Sequence, residues 1–182
     1  ITKNGGDGFS VASVARAGSY GTFEGYTSVS QGTERLSAAV NGNYLTSDGY
    51  RDNSDSRRKD LGLNLDYDAS DHLRLRLSAG YHEDETGQPG ALYRFQLEGG
   101  VPRDTTNNPD DQVKTKDWYL QGGTQYFLTD NSYVDLDASF RKREADFSYI
   151  SIGIVGKTEI DTVMFSPKLV LVESLFGYES KV

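Results

Sequence analysis

Between Lys59 and Asp84, apolar and polar residues alternate along two consecutive stretches of the chain. Successive residues of a strand point to opposite faces, so each stretch predicts a β-strand with one apolar and one polar face. The apolar positions are Leu61, Leu63, Leu65 and Tyr67, followed by Leu73, Leu75, Leu77, Ala79 and Tyr81. The polar segment 69–72 between them predicts a hairpin turn. We expect lipid or a protein core on the apolar face and water on the other.

The register of this hairpin follows from the length of its turn. Placing Tyr67 opposite Leu73 predicts that Asp66 lies beside Arg74 on the polar face. Six further segments show the same alternation and predict strands over 9–20, 23–30, 35–46, 117–127, 133–146 and 161–173. Pro167 has no N–H to donate to a ladder, so we expect a bulge or a local break in the last strand.

The composition favours strands over helices. Only 36% of the residues are apolar, and the chain has 20 Gly, 12 Tyr and no Cys. No apolar run approaches the roughly 18 to 20 residues of a membrane-spanning helix, but strands of about 10 residues can cross a bilayer in a closed barrel. The absence of cysteine excludes disulfides and thiolate metal sites. The net charge of -8 disfavours nucleic acid as a partner, because nucleic-acid binding usually leaves a basic footprint.

The connections between the predicted strands alternate between short and long from the second strand onwards. The short turns are 31–34, 69–72 and 128–132, and the long connections are 47–58, 85–116 and a break through Ile152, Gly153 and Gly156. Successive turns of an antiparallel sheet lie at opposite ends, so the long loops share one rim. Aromatic residues gather near the strand ends, as in interfacial girdles. The pattern predicts an all-β fold, an antiparallel up-and-down transmembrane β-barrel with short periplasmic turns and long extracellular loops.

Three short segments, taken in order, resemble a known family. They are Ile1-Thr2-Lys3-Asn4, Gly18-Ser19-Tyr20-Gly21 and the segment 47–53, which reads SDGYRDN. Ahead of repeated amphipathic strands, they are similar to the plug end, the first barrel hairpin and the loop after the third strand of the TonB-dependent receptors. This family consists of outer-membrane transporters for iron chelates and cobalamin.

The resemblance implies a domain organisation and a function. Residues 1–7 would be the tail of the plug domain, and residues 8–182 about the first eight strands of a larger barrel of about 22. The chain would belong to a receptor in the outer membrane of a Gram-negative bacterium that imports a small ligand such as a ferric siderophore. Energy would come from the TonB complex through the missing plug, and outer-membrane lipid would surround the barrel.

We also expect the chain to be an excerpt of a longer protein. It begins without a methionine or a signal peptide, and Lys181-Val182 reads as the opening of another strand. The resemblance places the ligand against the plug, the outer loops and the upper inner wall, of which only the last two are partly present here.

Four residues of the predicted inner wall are candidate ligand contacts, because parity puts them opposite the apolar set and near the rim of long loops. They are Tyr119, Gln121, Arg141 and Arg143. Pairing Phe127 with Tyr133 across the short turn sets Tyr119 opposite Arg141. A guanidinium over an aromatic ring, followed by a second arginine, can attract an anionic iron chelate. Any wide barrel also lines its lumen with such residues, so this interpretation stays open.

Arg94 and Arg103 lie in the longest predicted loop, with Tyr93 and Phe95 beside the first of them. Loops carry function more often than strands do. We therefore expect these two arginines to be able to close over a ligand.

No pattern in the sequence predicts catalysis, a cofactor or a metal site. In the cluster 82–85, which reads HEDE, strand neighbours point to opposite faces, so a solvated strand end is the simpler interpretation. The acidic segments 104–111 and 48–55 offer oxygen ligands for calcium, but neither has the EF-hand spacing. Phosphate-binding and nucleophile-elbow motifs are absent. We therefore expect a protein that is not an enzyme.

Two alternatives remain open at this stage. A passive porin or a small eight-stranded adhesion barrel requires the first strand to pair with the eighth. A soluble secreted β-sandwich binding module would bury its apolar faces against each other, and its loops should be shorter and less one-sided. The ligand is also open, because siderophore, haem, cobalamin and carbohydrate importers share the same barrel.

Overall fold

Eight strands form a single antiparallel sheet in the computed structural model, which describes residues 8–175 and 178–181. Each strand pairs with the next one along the chain, which gives an up-and-down topology. The strands are β1 (Gly8–Ala17), β2 (Phe23–Gly32), β3 (Leu36–Ser47), β4 (Ser56–Ser70), β5 (Leu73–Gly87), β6 (Gln112–Phe127), β7 (Tyr133–Tyr149) and β8 (Ile154–Val170). The predicted all-β, antiparallel, up-and-down fold is therefore confirmed.

Three smaller elements accompany the sheet. A short helix, α1, spans Arg94–Glu98, and a 3-10 helix spans Ile150–Ile152. A separate hairpin consists of β9 (Val172–Leu175) and β10 (Tyr178–Lys181). No helix in the described ranges is long and apolar enough to cross a membrane. The predicted plug tail, residues 1–7, lies outside the described residues, as does Val182.

The described sheet is open and has one layer. Within residues 8–175, β1 pairs only with β2 and β8 only with β7, so the pairing that a small closed barrel requires is not formed. Ala39 and Val170 are the only buried hydrophobic residues of the described part of the chain. A β-sandwich would bury many more, because its two sheets pack their apolar faces together.

Strand alternation gives the sheet an apolar face and a polar face. The apolar face is formed by the positions in register with Leu63 and Leu77, and the polar face by those in register with Asn64 and Ser78. Large side chains of the apolar face are exposed, among them Val40, Leu61, Leu77, Leu120, Val163 and Phe165. An exposed apolar surface of this extent marks a face that contacts something other than water.

The predicted register of the hairpin between β4 and β5 was wrong. Ser70 pairs with Leu73 across a two-residue turn, and a bulge separates Asp68 from Ser70. Tyr67 consequently lies opposite Leu75 instead of Leu73. A one-residue slip would turn the apolar positions to the polar face, and the extra residue of the bulge prevents this.

The predicted long break after residue 146 was also wrong. β7 continues to Tyr149, and β8 begins at Ile154 after a tight connection that ends on Gly153 with a φ of 71°. Pro167 interrupts neither β8 nor its register with β7, where it lies opposite Leu136. β8 is an edge strand of the described sheet, and a proline is tolerated there because one side has no ladder bond to lose.

The seven connections of the sheet fall on two rims. The connections 18–22, 48–55, 88–111 and 150–153 lie at one end, called the loop rim below. The connections 33–35, 71–72 and 128–132 lie at the opposite end, the turn rim. The two longest connections, 48–55 and 88–111, both lie at the loop rim, as the predicted difference in length between the two rims requires. The connection 88–111 is called the long loop below.

Candidate functional site

The polar face near the loop rim contains the predicted inner-wall residues. Phe127 pairs with Tyr133, and Tyr119 lies directly opposite Arg141, as the sequence predicted. The short connection 128–132 fixes this register. Tyr119, Gln121, Arg141 and Arg143 therefore share one face of β6 and β7.

The guanidinium of Arg141 binds a carboxylate. Its Nε lies 2.9 Å from Oδ1 of Asp117, and its Nη2 contacts Oδ2 of the same residue. Asp117 is 8% exposed. The cation–π contact that the sequence suggested with Tyr119 is not among those of the described residues. The charge of Arg141 is thus largely satisfied by the wall itself.

The ring of Tyr119 lies over a glycine of the neighbouring strand. A Cβ added to Gly80 would lie 2.3 Å from Cε1 of Tyr119, so the ring occupies the space that any other residue would fill. A shallow cavity of about 260 Å³ opens beside it, lined in part by His82, Asp117 and Arg141. Tyr119 is 38% exposed and lines this cavity together with Tyr81.

The other two predicted wall residues differ in their surroundings. Gln121 lies between Ser78 and Ser139 and lines a second cavity of about 270 Å³. Arg143 lies opposite Asp117 and is exposed. No carboxylate of the described residues lies within ion-pair distance of Arg143, whereas Arg141 is paired with Asp117. Of the two predicted wall arginines, Arg143 is therefore the one whose charge is available to a ligand.

A histidine between two carboxylates was not predicted. Nδ1 of His82 lies 2.6 Å from Asp60, and Nε2 lies 2.9 Å from Asp84. Asn43 donates to the second oxygen of Asp60 at 3.2 Å. As expected, cluster 82–85 does not converge as a whole, because Glu83 lies on the opposite face. The missed partner, Asp60, is set by the register between β4 and β5.

Further toward the turn rim, two more arginines of the polar face bind carboxylates. Arg76 contacts Asp135 and lies 3.0 Å from Asp137, two strands away. Arg74 binds Asp68 at 2.6 Å, whereas the sequence had placed Arg74 beside Asp66. The ion pairs of Arg76 link β5 with β7 across β6, and that of Arg74 links β5 with β4. No group of three metal-ligating side chains suited to an ion occurs in the part of the chain described.

The long loop, predicted from the sequence as a long connection over 85–116, contains a helix. β5 extends to Gly87 and β6 begins at Gln112, so the strands are longer than predicted. Between them lies α1, which carries Arg94. The guanidinium of Arg94 is 2.7 Å from Glu98 and its side chain is 91% exposed.

Two aromatic rings stand out from the long loop. Tyr93 and Phe95 stack with centroids 5.7 Å apart and planes 11° apart, and both rings are largely exposed. Arg103 is exposed, and no ion pair involves it within the described residues. No hydrogen bond or ion pair within the described residues joins Arg94 or Arg103 to the predicted wall residues.

The loop rim is held together by residues that the sequence did not single out as functional. Arg51 and Asn53 of the connection 48–55 donate to backbone carbonyls of the long loop. Asp111, at the end of the long loop, is 1% exposed and accepts from the backbone N–H of Ser151 at 2.9 Å. Burial raises the pKa of Asp111, but its hydrogen bonds with Ser151 and Asn108 outweigh burial and bring this pKa below its usual value.

A comparison with protein-family models and with curated proteins found no match. Solved structures do share the fold. The ferric citrate transporter FecA in its unliganded form aligns with a TM-score of 0.79 at 13% identity, over 96% of this chain and 28% of that chain. The siderophore receptor PiuA from Acinetobacter baumannii aligns with a TM-score of 0.71 at 18% identity, over 94% of this chain and 28% of that chain.

The closed form of the ferric-catecholate import receptor Fiu from E. coli K12 aligns with a TM-score of 0.68 at 12% identity, over 94% of this chain and 29% of that chain. The chain thus spans little more than a quarter of each of these proteins. Identities this low support the fold alone. The chain has the fold of a part of the β-barrel of TonB-dependent receptors.

Proposed function

We propose that this chain is part of the barrel wall of an outer-membrane receptor that binds a scarce ligand, most simply a ferric siderophore, and imports it with energy supplied through TonB. The observation that carries the proposal is the exposed apolar face of the sheet, which ends in aromatic residues and then in charges. Its dimensions and composition suit a lipid bilayer.

The height of the apolar face can be compared with that of a membrane. On β5 it runs from Leu73 to Tyr81, and on β7 from Val134 to Phe140. At about 3.3 Å per residue and a tilt near 40°, the first of these spans roughly 20 Å along the membrane normal. The β7 run is shorter, roughly 15 Å on the same basis. The β5 run therefore approaches the apolar band of about 25 Å in outer-membrane barrels, and the β7 run covers part of it.

Charges replace apolar residues at the same face toward the loop rim. On β6, Trp118 is followed at the next outward position by Lys116, and on β7 Phe140 is followed by Lys142. The rings of Trp118 and Phe140 lie 5.1 Å apart. The hydrocarbon region does not tolerate charged residues, so the membrane boundary would lie at the level of Trp118, which pairs directly with Lys142.

The charges beyond this boundary pair across strands. Nζ of Lys114 lies 3.5 Å from Glu83, and Nζ of Lys157 lies 3.1 Å from Glu144. Such a network is stable in water or among lipid head groups and has no place in a lipid interior. It supports an orientation in which the loop rim stands outside the membrane.

The polar face and the loop rim would supply the ligand contacts. The polar face combines the aromatic surface of Tyr119 with the exposed guanidinium of Arg143, and the long loop presents Tyr93, Phe95 and Arg103. Rings and cations of this kind suit an anionic iron chelate. The names of the similar structures, a ferric citrate transporter, a siderophore receptor and a ferric-catecholate import receptor, support the same ligand class.

In this proposal the wall is a rigid scaffold and a plug domain controls passage. Residues 1–7 would be the last part of that plug, and residues 8–182 the barrel that surrounds it. The ion pairs of Arg76 and Arg141 across strands would keep the wall fixed while the plug moves under the action of TonB. The chain itself would perform no chemistry on the ligand.

Uptake of iron-55 citrate and of an iron-55 catecholate siderophore, in iron-starved cells that express the intact protein, tests this function. We expect saturable uptake of at least one chelate that disappears when TonB is deleted. Uptake that persists without TonB and grows linearly with concentration would identify a passive pore. Fractionation of the same cells should recover the protein with the outer membrane.

A further inference from the structure

We propose that Arg51 is a positioning residue that anchors the long loop to the connection 48–55, so that the loop rim is a preformed capture surface instead of a set of separate flaps. The anchor is a property of the structure alone. Its role in ligand capture rests on the function proposed above.

The side chain of Arg51 extends from the connection 48–55 to the long loop. Its guanidinium lies between the two arms of that loop, residues 89–90 and Thr105. Its Nη1 donates to the carbonyl of Gly90 at 2.5 Å, and its Nη2 donates to Pro89 at 3.3 Å. Its Nε and Nη2 both donate to the carbonyl of Thr105, at 3.1 and 2.9 Å. One planar guanidinium thus joins the two arms of the loop through three nitrogens, whereas an ammonium would have to reach all three carbonyls from a single nitrogen.

Neighbouring residues of the same connection extend the anchor. The backbone N–H of Asp52 donates to the carbonyl of Asp104 at 2.7 Å. The side-chain amide of Asn53 donates to Asn108 at 2.5 Å and to Asp111 at 2.8 Å. Asn53 has a φ of 57°, a left-handed conformation that asparagine adopts more readily than most residues. Three consecutive residues of the connection 48–55 therefore contact the long loop at points between Pro89 and Asp111.

The contacts continue to the two remaining connections of the loop rim, 18–22 and 150–153. On one side, the backbone N–H of Asp48 donates to the carbonyl of Tyr20 at 2.8 Å, and the ring of Tyr20 meets Tyr50 edge-on at 5.6 Å. On the other side, Asp111 accepts hydrogen bonds from Ser151. All four connections of the loop rim are consequently joined, and Arg51 lies at the centre of the chain of contacts.

The exposed tip of the long loop lies between the two arms that Arg51 joins. α1 and the stacked rings of Tyr93 and Phe95 come after Gly90 and before Thr105 along the chain. Their position relative to the polar face is therefore set by the anchor. Without it, the three carbonyl oxygens of Pro89, Gly90 and Thr105 lose a charged donor, and the tip loses its fixed place.

Limited trypsin digestion of the intact, folded protein tests the anchor without any ligand. Arg94 and Arg103 are exposed trypsin sites within the long loop. We expect Arg51→Ala to accelerate cleavage at both sites about tenfold or more, because local opening governs proteolysis of a folded loop. Arg57→Ala is the matched control, since Arg57 is an exposed arginine of β4 outside these contacts, and it should leave both rates unchanged.

A covalent link provides the rescue. The chain contains no cysteine, so Asp52→Cys with Asp104→Cys introduces a single pair next to an existing backbone hydrogen bond. Oxidised, this pair should restore protection in the Arg51→Ala background, and reduction should abolish it. If Arg51→Ala fails to fold, Arg51→Lys keeps the charge but reaches fewer carbonyls, and it should give intermediate cleavage. Unchanged cleavage in folded Arg51→Ala or Arg51→Lys would overturn the anchor.

Equilibrium binding of iron-55 citrate and of an iron-55 catecholate siderophore tests the capture role. Arg51→Ala should weaken binding of the chelate that the wild type takes up by about tenfold, and the oxidised cysteine pair should restore it. Released loops with unchanged affinity would overturn the capture role and leave the anchor in place. Absence of binding by the wild type would instead count against the proposed function and therefore against capture, while the trypsin result still decides the anchor.

Discussion

The polar wall and the loop rim satisfy their arginines in different ways. On the wall, Arg141 binds the carboxylate of Asp117 on the neighbouring strand, and Arg76 binds that of Asp137 two strands away. On the rim, Arg51 binds only backbone carbonyls of another loop. Partly exposed ion pairs contribute little each, whereas the half-buried carbonyls of Pro89, Gly90 and Thr105 all lose a charged donor when Arg51 is removed. Single ion pairs of the wall are therefore expected to matter less than Arg51 matters to the rim.

The two faces of the sheet differ more strongly in how they should tolerate a charge. Adjacent residues of β7 lie on opposite faces and allow the two to be compared. Ala138 lies on the apolar face of β7, in register with Gly122 and Phe165, and Ser139 lies on the polar face, in register with Gln121. Ala138→Arg would place a charge against lipid and should lower the free energy of unfolding by about 2–4 kcal/mol. Urea titration in lipid vesicles measures this. Ser139→Arg is the matched variant and should change it by less than about 1 kcal/mol.

Two glycines, one on each face of the sheet, differ in the space available for a larger side chain. Gly80→Ala forces the ring of Tyr119 to move, because the added Cβ would lie 2.3 Å from Cε1, and it should cost about 1–3 kcal/mol of unfolding free energy. Gly122→Ala meets nothing within 4 Å and should stay within about 0.5 kcal/mol of the wild type. Equal effects of the two substitutions would contradict the packing of Tyr119 over the wall.

The Arg141–Asp117 pair tests how much one ion pair of the wall contributes to the free energy of unfolding. The side chain of Arg141 is 56% exposed and that of Asp117 10% exposed. A double-mutant cycle with Arg141→Ala and Asp117→Asn should give a coupling free energy of about 0.5–1 kcal/mol. Arg141→Ala alone should cost more than the coupling, because it leaves the carboxylate of Asp117 poorly compensated. A coupling near zero would mean that the pair does not brace β6 against β7.

A small pH effect should report on Asp111 of the loop rim. The pKa of Asp111 lies below its usual value in the folded protein, so its ionised form stabilises the rim above the unfolded value of about 4. That contribution falls away as the pH drops through the lower, folded pKa. The difference in melting temperature between wild type and Asp111→Asn, followed from about pH 7 to pH 3, should therefore shrink toward acid. A difference that grows toward acid would contradict this assignment.

The strand order and much of the wall could be predicted from the sequence, because alternation and short turns are local signals. The pairing of Tyr119 with Arg141 follows from the turn 128–132 alone. The bulge near Ser70 and the extension of β7 to Tyr149 leave no comparable signal, so the turn and the break there were misplaced. Alternation assigns a residue to a face but does not say whether Arg141 turns toward Tyr119 or toward Asp117.

The contacts of the loop rim could not be predicted from the sequence for a different reason. Arg51 belongs to the segment SDGYRDN, which attracted attention only as a resemblance. Its partners in the long loop lie 38, 39 and 54 residues away in sequence, and no periodicity links residues of two loops. The acidic segment 104–111 offers oxygen atoms but lacks the EF-hand spacing, and its sequence does not indicate that Asp111 is an acceptor for Ser151. Contacts of this kind become visible only when the loops are folded.

The most direct test of the account is which face of β7 meets lipid. Ala138→Cys and Ser139→Cys, each labelled with a nitroxide in the intact protein in lipid vesicles, report accessibility by electron paramagnetic resonance. We predict that the label at 138 is relaxed mainly by oxygen, which concentrates in hydrocarbon, and the label at 139 mainly by a water-soluble nickel chelate. Preferential relaxation of both labels by the nickel chelate would contradict a membrane-embedded wall, and with it the proposed transport function.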